Sequence, residues 1–107
     1  MNFELRLTSE FKKEFKRLYK KYPSLKSDLT ILLKTLEHEP TEGVSLGKDC
    51  YKVRLAIKSK GRGKSGGARV VTYIQFIGNT VFLLTIFDKS ERANISDKEL
   101  REILSQL

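Results

Sequence analysis

The chain has 107 residues, 39% hydrophobic and 32% charged, and its 21 Lys and Arg outnumber 13 Asp and Glu for a net charge of +8. That length supports one modest core and not two, so residues 1–107 read as a single domain. No apolar run is long enough to span a membrane, MNFELRLTSE lacks the apolar core of a signal peptide, and the lone Cys50 has no internal disulfide partner, which together point to a cytoplasmic protein.

In chain order, NFELRL alternates apolar and polar residues and predicts a short strand. Thr8 or Ser9 then caps a helix to about Lys21, in which Phe11, Phe15, Leu18, Tyr19 and Tyr22 repeat at helical spacing. Pro23 can open a second helix carrying Leu25, Leu29, Leu32 and Leu36, which Glu39-Pro40 stops. PTEGVSLGKD reads as a turn-rich connection. The period then becomes two. In CYKVRLAIK, Tyr51, Val53, Leu55 and Ile57 face one way and Lys52, Arg54 and Lys58 the other. ARVVTYIQFI is the next strand, with a tight hairpin turn at Gly78-Asn79. TVFLLTIF is apolar almost throughout, as an interior strand covered on both faces would be. SDKE at 96–99 has the form of a capping box before a last helix with Leu100, Ile103, Leu104 and Leu107 on one stripe. The predicted fold is α+β with the order β-α-α-β-β-β-α, a mainly antiparallel sheet packed with helices and the first strand at an edge.

The charge is unevenly placed. From Cys50 to Phe87 there is no acidic residue, while Lys52, Arg54, Lys58, Lys60, Arg62, Lys64 and Arg69 all fall there. The bland reading of these cations is a solvated strand face. Against it stand like charges two residues apart on one face, a neighbouring loop that adds four more, and no local carboxylate to pair with them. A polyanion such as RNA satisfies that arrangement.

Other chemistries fit poorly. GKS at 63–65 shares letters with a phosphate-binding P-loop, but Lys58 stands where the first glycine belongs and the loop leads into a strand. One histidine and one cysteine provide no metal ligand set, so no metal or other cofactor is expected. His38 suits the end of the second helix, and Cys50 reads as a small structural residue. RNA cleavage through its own 2′-hydroxyl needs a proton acceptor, a proton donor and stabilised charge on the phosphorane. Arginines and a lysine crowded by other cations can provide all three without histidine.

The segments LGKDCYKVRL, GKSGGARVV, VFLLTIFDKSER and ISDKELREIL, in this element order, resemble the RelE/ParE superfamily of bacterial toxins from type II toxin–antitoxin systems. The resemblance is nearest to RelE and the HigB-like mRNA interferases with a GKSGGAR-type loop. It covers nearly the whole chain and is most specific over residues 46–95. It implies a ribosome-dependent endonuclease that cuts messenger RNA in the A site without metal, with the ribosome, messenger RNA and a cognate antitoxin as partners. Carried over by position, Lys52 is the candidate for proton transfer, Arg54 a phosphate clamp, and Arg69 the transition-state stabiliser. Lys58, Lys60, Arg62 and Lys64 become RNA-backbone contacts. One segment departs from the family. IFDKSERANIS places Ser90 and Ser96 where the family supplies an arginine and a tyrosine, leaving Lys89 and Arg92 as substitute charges and Tyr73 or Phe87 as a substitute ring. Two other readings stand beside this one: a ParE-like inhibitor of DNA gyrase on the same fold, and a non-catalytic RNA-binding module.

Overall fold

A computed structural model describes residues 2–61 and 66–107. Strand β1 (Glu4–Leu7) leads into helix α1 (Ser9–Lys21) and helix α2 (Leu25–His38). Strands β2 (Val44–Gly47) and β3 (Cys50–Leu55), a 3-10 turn (Lys58–Lys60), strands β4 (Ala68–Gln75) and β5 (Thr80–Asp88), and helix α3 (Asp97–Leu104) follow. The five strands form one sheet in the order β1-β5-β4-β3-β2. β1 runs parallel to β5, and every other pairing is antiparallel.

The local signals explain the elements. Thr8 caps α1 by accepting from the Phe11 N–H at 3.2 Å. Its hydroxyl also lies 3.0 Å from the Leu83 carbonyl and 3.0 Å from that of Leu84, so one side chain starts the helix and ties it to β5. α2 begins at Leu25 with Ser24 before it, slightly later than Pro23 suggested. Ser96 and Glu99 form the expected capping box of α3. β5 has a strand partner on both sides and is buried along nearly all its length, as its unbroken apolar run requires.

Three expectations need correction. PTEGVSLGKD is not all turn, because Val44, Ser45 and Gly47 pair with Lys52, Tyr51 and Cys50 to form β2. That strand is short, mostly exposed and ended by glycine, so no alternating apolar pattern announces it; the neighbour's ladder makes it a strand. β3 ends at Leu55, not Lys58. β4 ends at Gln75, and Phe76 and Ile77 belong to an exposed turn closed by the Asn79 N–H donating to the Phe76 carbonyl at 3.1 Å.

The sheet separates two apolar clusters. On one face Phe11, Leu18, Leu25, Leu29, Leu32 and Leu36 of the helical hairpin pack on Val53, Leu55, Val70, Leu83 and Ile86. On the other, Leu100 and Ile95 cover Cys50, Val71, Leu84 and Phe87, with Ile103 and Leu104 alongside. Leu107, placed on that stripe by its spacing, is 53% exposed. α3 covers only part of its face. The remainder is where the cations gather.

Candidate nucleic-acid interface

Strand alternation sets the site. Val53, Leu55, Ala68 and Val70 point beneath α1 and α2, so Lys52, Arg54 and Arg69 point to the opposite face. The register then aligns them. Arg54 is the cross-strand partner of Arg69, and Arg69 is the partner of Phe87 on the next strand. Directly opposed residues have their Cβ atoms about 5 Å apart, so two guanidinium groups share one rung of the sheet.

Their surroundings differ. Arg54 is exposed, whereas Arg69 is 5% exposed and donates from Nη1 to the Ala68 carbonyl at 3.0 Å. Burial, and then the Arg54 charge, lower the pKa of the Arg69 guanidinium from its ordinary value. A buried arginine held beside another cation is a site that gains from an incoming anion. Lys52, two residues back along β3 from Arg54 and on the same face, donates from Nζ to Oδ1 of Asn94 at 3.0 Å. Asn94 was not singled out from sequence; it uses the same oxygen to accept from the Ile95 N–H at 2.9 Å, so it links the lysine to the approach of α3. Nothing in an isolated asparagine signals that role.

The segment after β5 closes the site on one side. Arg92 lies over the Phe87 ring at 5.0 Å and donates to both Glu99 oxygens, at 2.9 and 3.0 Å. Its hydrogen bond is the main reason the Glu99 carboxyl sits below its usual range. Arg92 thus continues the line Arg54–Arg69–Phe87, while Phe87 is buried beneath it. Lys89 is exposed, and its N–H donates to the Gly67 carbonyl at 3.1 Å, next to the start of β4. On the outer side of β3, beyond the end of β2, a cleft of about 590 Å³ opens toward α2. Lys52, Arg54 and Lys58 line it together with Ile31, Val44 and Asp28. Strand alternation sends the Lys52 and Arg54 side chains to the other face of the sheet, so it is their stretch of strand edge that borders the cleft.

Other candidates lie elsewhere. Lys60 is not an open loop charge: its Nζ is 2.7 Å from Oδ1 of the fully buried Asp88, and its side chain is 9% exposed. This corrects the expectation that no local acid could pair with these cations, since Asp88 lies one residue past the acid-free window. Burial pushes the Asp88 carboxyl up, but bonds from Lys60, Tyr22 and Ser90 outweigh it and hold the group far below the usual carboxylate range. Ser90 is spent on this network, donating from its N–H at 2.9 Å and its hydroxyl at 2.7 Å. Ser96 is the cap of α3. Tyr73 stacks on Phe82 at 6.1 Å and packs with the α3 cluster. Four residues along β4 from Arg69, it is about 13 Å from the arginine rung. Arg62 and Lys64 lie outside the described residues. Among the described residues no three His, Cys, Asp or Glu side chains converge as a metal site would require, and no helix is long and apolar enough to cross a membrane.

This fold has known counterparts. An arginine-to-alanine double mutant of E. coli toxin RelE in the free state superposes with a TM-score of 0.67 at 17% identity, over 100% of this chain and 99% of that one. A RelBE toxin–antitoxin complex from Mycobacterium tuberculosis matches with a TM-score of 0.59 at 16% identity, over 82% of this chain and 99% of that chain. The intact E. coli RelBE toxin–antitoxin complex matches with a TM-score of 0.52 at 23% identity, over 80% and 95%. These likenesses concern the fold. The family model for the RelE toxin of the RelE/RelB toxin–antitoxin system matches residues 10–106, and the chain therefore belongs to the RelE toxin family.

Proposed function

We propose that this protein is a ribosome-dependent endoribonuclease that cuts messenger RNA in the ribosomal A site and so stops translation. The observation that carries the reading is the rung formed by Arg54 and Arg69, two residues from Lys52, on the face that α3 covers only in part. Attack of a 2′-hydroxyl on the adjacent phosphate builds negative charge on the phosphorane oxygens, and two guanidinium groups side by side oppose that charge as it forms. Arg69, fixed and desolvated, acts as the transition-state stabiliser, and Arg54, exposed, holds the phosphate before reaction. Lys52 transfers the proton, with Asn94 fixing its Nζ. Once the phosphodiester is cleaved, the products are a 2′,3′-cyclic phosphate and a 5′-hydroxyl, with one proton taken from the 2′-oxygen and one given to the 5′-oxygen. The cations supply the charge stabilisation that a metal ion supplies in other nucleases, so the reading needs no metal.

A cognate antitoxin is the expected partner, as in the RelBE complexes to which the fold is similar. Among the described residues, β3 has no strand partner on its outer side beyond Lys52, and the cleft there offers Ile31 and Val44 beside Arg54 and Lys58. An extended segment carrying acids and apolar residues in alternation fits such an edge.

The test is 5′-end mapping of messengers translated in a purified system with wild-type protein and with Arg54→Ala, Arg69→Ala. Cuts within A-site codons that disappear in the variant support the reading. Blocked growth with intact messengers and inhibited DNA gyrase defeats it. A separate comparison assigns the role of Arg69: Arg69→Ala is expected to reduce turnover at least about a hundredfold while weakening ribosome binding only a few-fold. Equal losses in both would make Arg69 a binding residue.

A further inference from the structure

α1 carries a second concentration of positive charge, on the side of the sheet away from Arg54 and Arg69. Its thirteen residues hold six cations against Glu10 and Glu14, half of the net +8 of the protein. The acids do not serve these cations evenly. Lys13 pairs with Glu10 at 3.4 Å, Arg17 with Glu14 at 3.2 Å and Glu91 at 2.9 Å, and Lys21 lies 3.9 Å from Glu91 and 4.0 Å from Asp88. Lys12, Lys16 and Lys20 are exposed and have no ion pair among the described residues. They stand four residues apart, so they form one stripe with about 6 Å of rise between successive ammonium stems. Like charges at that spacing destabilise a helix, and no carboxylate relieves them. Tyr19 borders the stripe at 42% exposure, its ring stacked on Phe15 at 5.8 Å.

We infer that the Lys12–Lys16–Lys20 stripe is a second RNA-binding surface, which grips the phosphate backbone of structured ribosomal RNA while the sheet face holds the messenger. The inference deepens the reading proposed above and rests on it for the identity of the RNA. Three features select RNA over other polyanions. The apolar stripe of α1 is buried in the core, so the helix has no apolar face to place in a lipid surface. Apart from Tyr19 the exposed side offers no large apolar anchor for a protein partner. An exposed ring beside lysines can stack on a base while the ammonium groups neutralise phosphates. The sheet lies between the stripe and the Arg54–Arg69 rung, so one strand does not occupy both, and the toxin is held between two segments of RNA.

The experiment measures the binding of wild-type protein and Lys12→Gln, Lys16→Gln, Lys20→Gln triple variant to vacant ribosomes across a salt series. Circular dichroism and thermal unfolding confirm that both are folded. Losing three phosphate contacts predicts an affinity at least about tenfold weaker at low salt, and a log–log salt slope shallower by about two to three. Unchanged affinity and slope overturn the inference, as does a wild-type protein that binds no ribosomes. A wild-type protein that binds vesicles of phosphatidylcholine and phosphatidylglycerol through the same lysines, or an antitoxin whose affinity falls in parallel, also overturns it by assigning the stripe to lipid or to protein. Binding needs no cleavage, so messengers left uncut would defeat the proposed nuclease activity while these measurements still decide the fate of the stripe.

Discussion

Asp88 is the residue on which the middle of the molecule turns. It has no solvent exposure and collects the Tyr22 hydroxyl at 2.6 Å, the Lys60 ammonium at 2.7 Å and two donors from Ser90. Removing one partner leaves a buried carboxylate poorly compensated, so Lys60→Met is expected to cost about 3 kcal/mol in urea unfolding. The double variant Lys60→Met, Asp88→Asn should cost less than the two single losses added together. The pH dependence follows from the same bonds. The folded-state pKa lies below the unfolded value, so the stabilisation is present above the unfolded carboxylate pKa of about 4 and is lost as pH falls toward the folded one. Denaturant titrations should find wild-type stability falling more steeply below about pH 4 than that of Asp88→Asn. Parallel curves would count against the network. Cys50 gives a sharper signal at alkaline pH. Burial, aided by the Asp49 charge and only partly offset by Lys48, pushes its thiol up to about 11. The native protein should resist thiol reagents at pH 8 and react fully once unfolded; rapid native labelling would show an accessible thiolate.

At the scale of elements, the β3–β4 connection is fixed at both ends. Lys60 anchors its first half to Asp88, and the Lys89 N–H holds the Gly67 carbonyl. Gly67 packs so closely on the Leu55 carbonyl and Ala56 that a methyl group there would collide with backbone. Gly67→Ala is expected to cost about 2 kcal/mol, read as a lower urea midpoint with unchanged slope. An unaltered midpoint would show that the connection yields. Here the sequence was partly readable. Periodicity and capping residues located three helices and four strands, because each buries an apolar face with its own period. β2 was invisible, since Val44 and Leu46 without their neighbour describe a loop as well as a strand. For the site, alternation set Lys52 and Arg54 on one face as the strand has them, but it also counted Lys58, which lies in the 3-10 turn past the end of β3, and Arg69 came from the family resemblance alone. The pairing of Lys60 with Asp88, the link from Lys52 to Asn94 and the cover of Arg92 on Phe87 join residues 28, 42 and 5 positions apart. No local pattern encodes such contacts; they follow from how the sheet and the segment after β5 come together.

For the whole molecule, the distribution of charge sets what excludes what. An antitoxin seated along the free edge of β3 would cover Arg54 and Lys58, the residues assigned here to RNA. Antitoxin and messenger RNA are therefore expected to compete. In a titration at fixed toxin, added antitoxin should displace a labelled RNA completely, and saturable binding of both to one protein copy would refute this. The topology carries a consequence of a different kind. β1 lies parallel to β5, and Thr8 caps α1 while bonded to Leu83 and Leu84, so the first strand and the first helix of the chain wait for a partner more than seventy residues away. During synthesis the opening strand lacks its partner in the sheet, and Arg69 lacks its Phe87 neighbour, until residues 80–88 have been made. The nascent chain thus stays without a finished site for most of its own translation, and its harm is delayed by the order in which its strands are born.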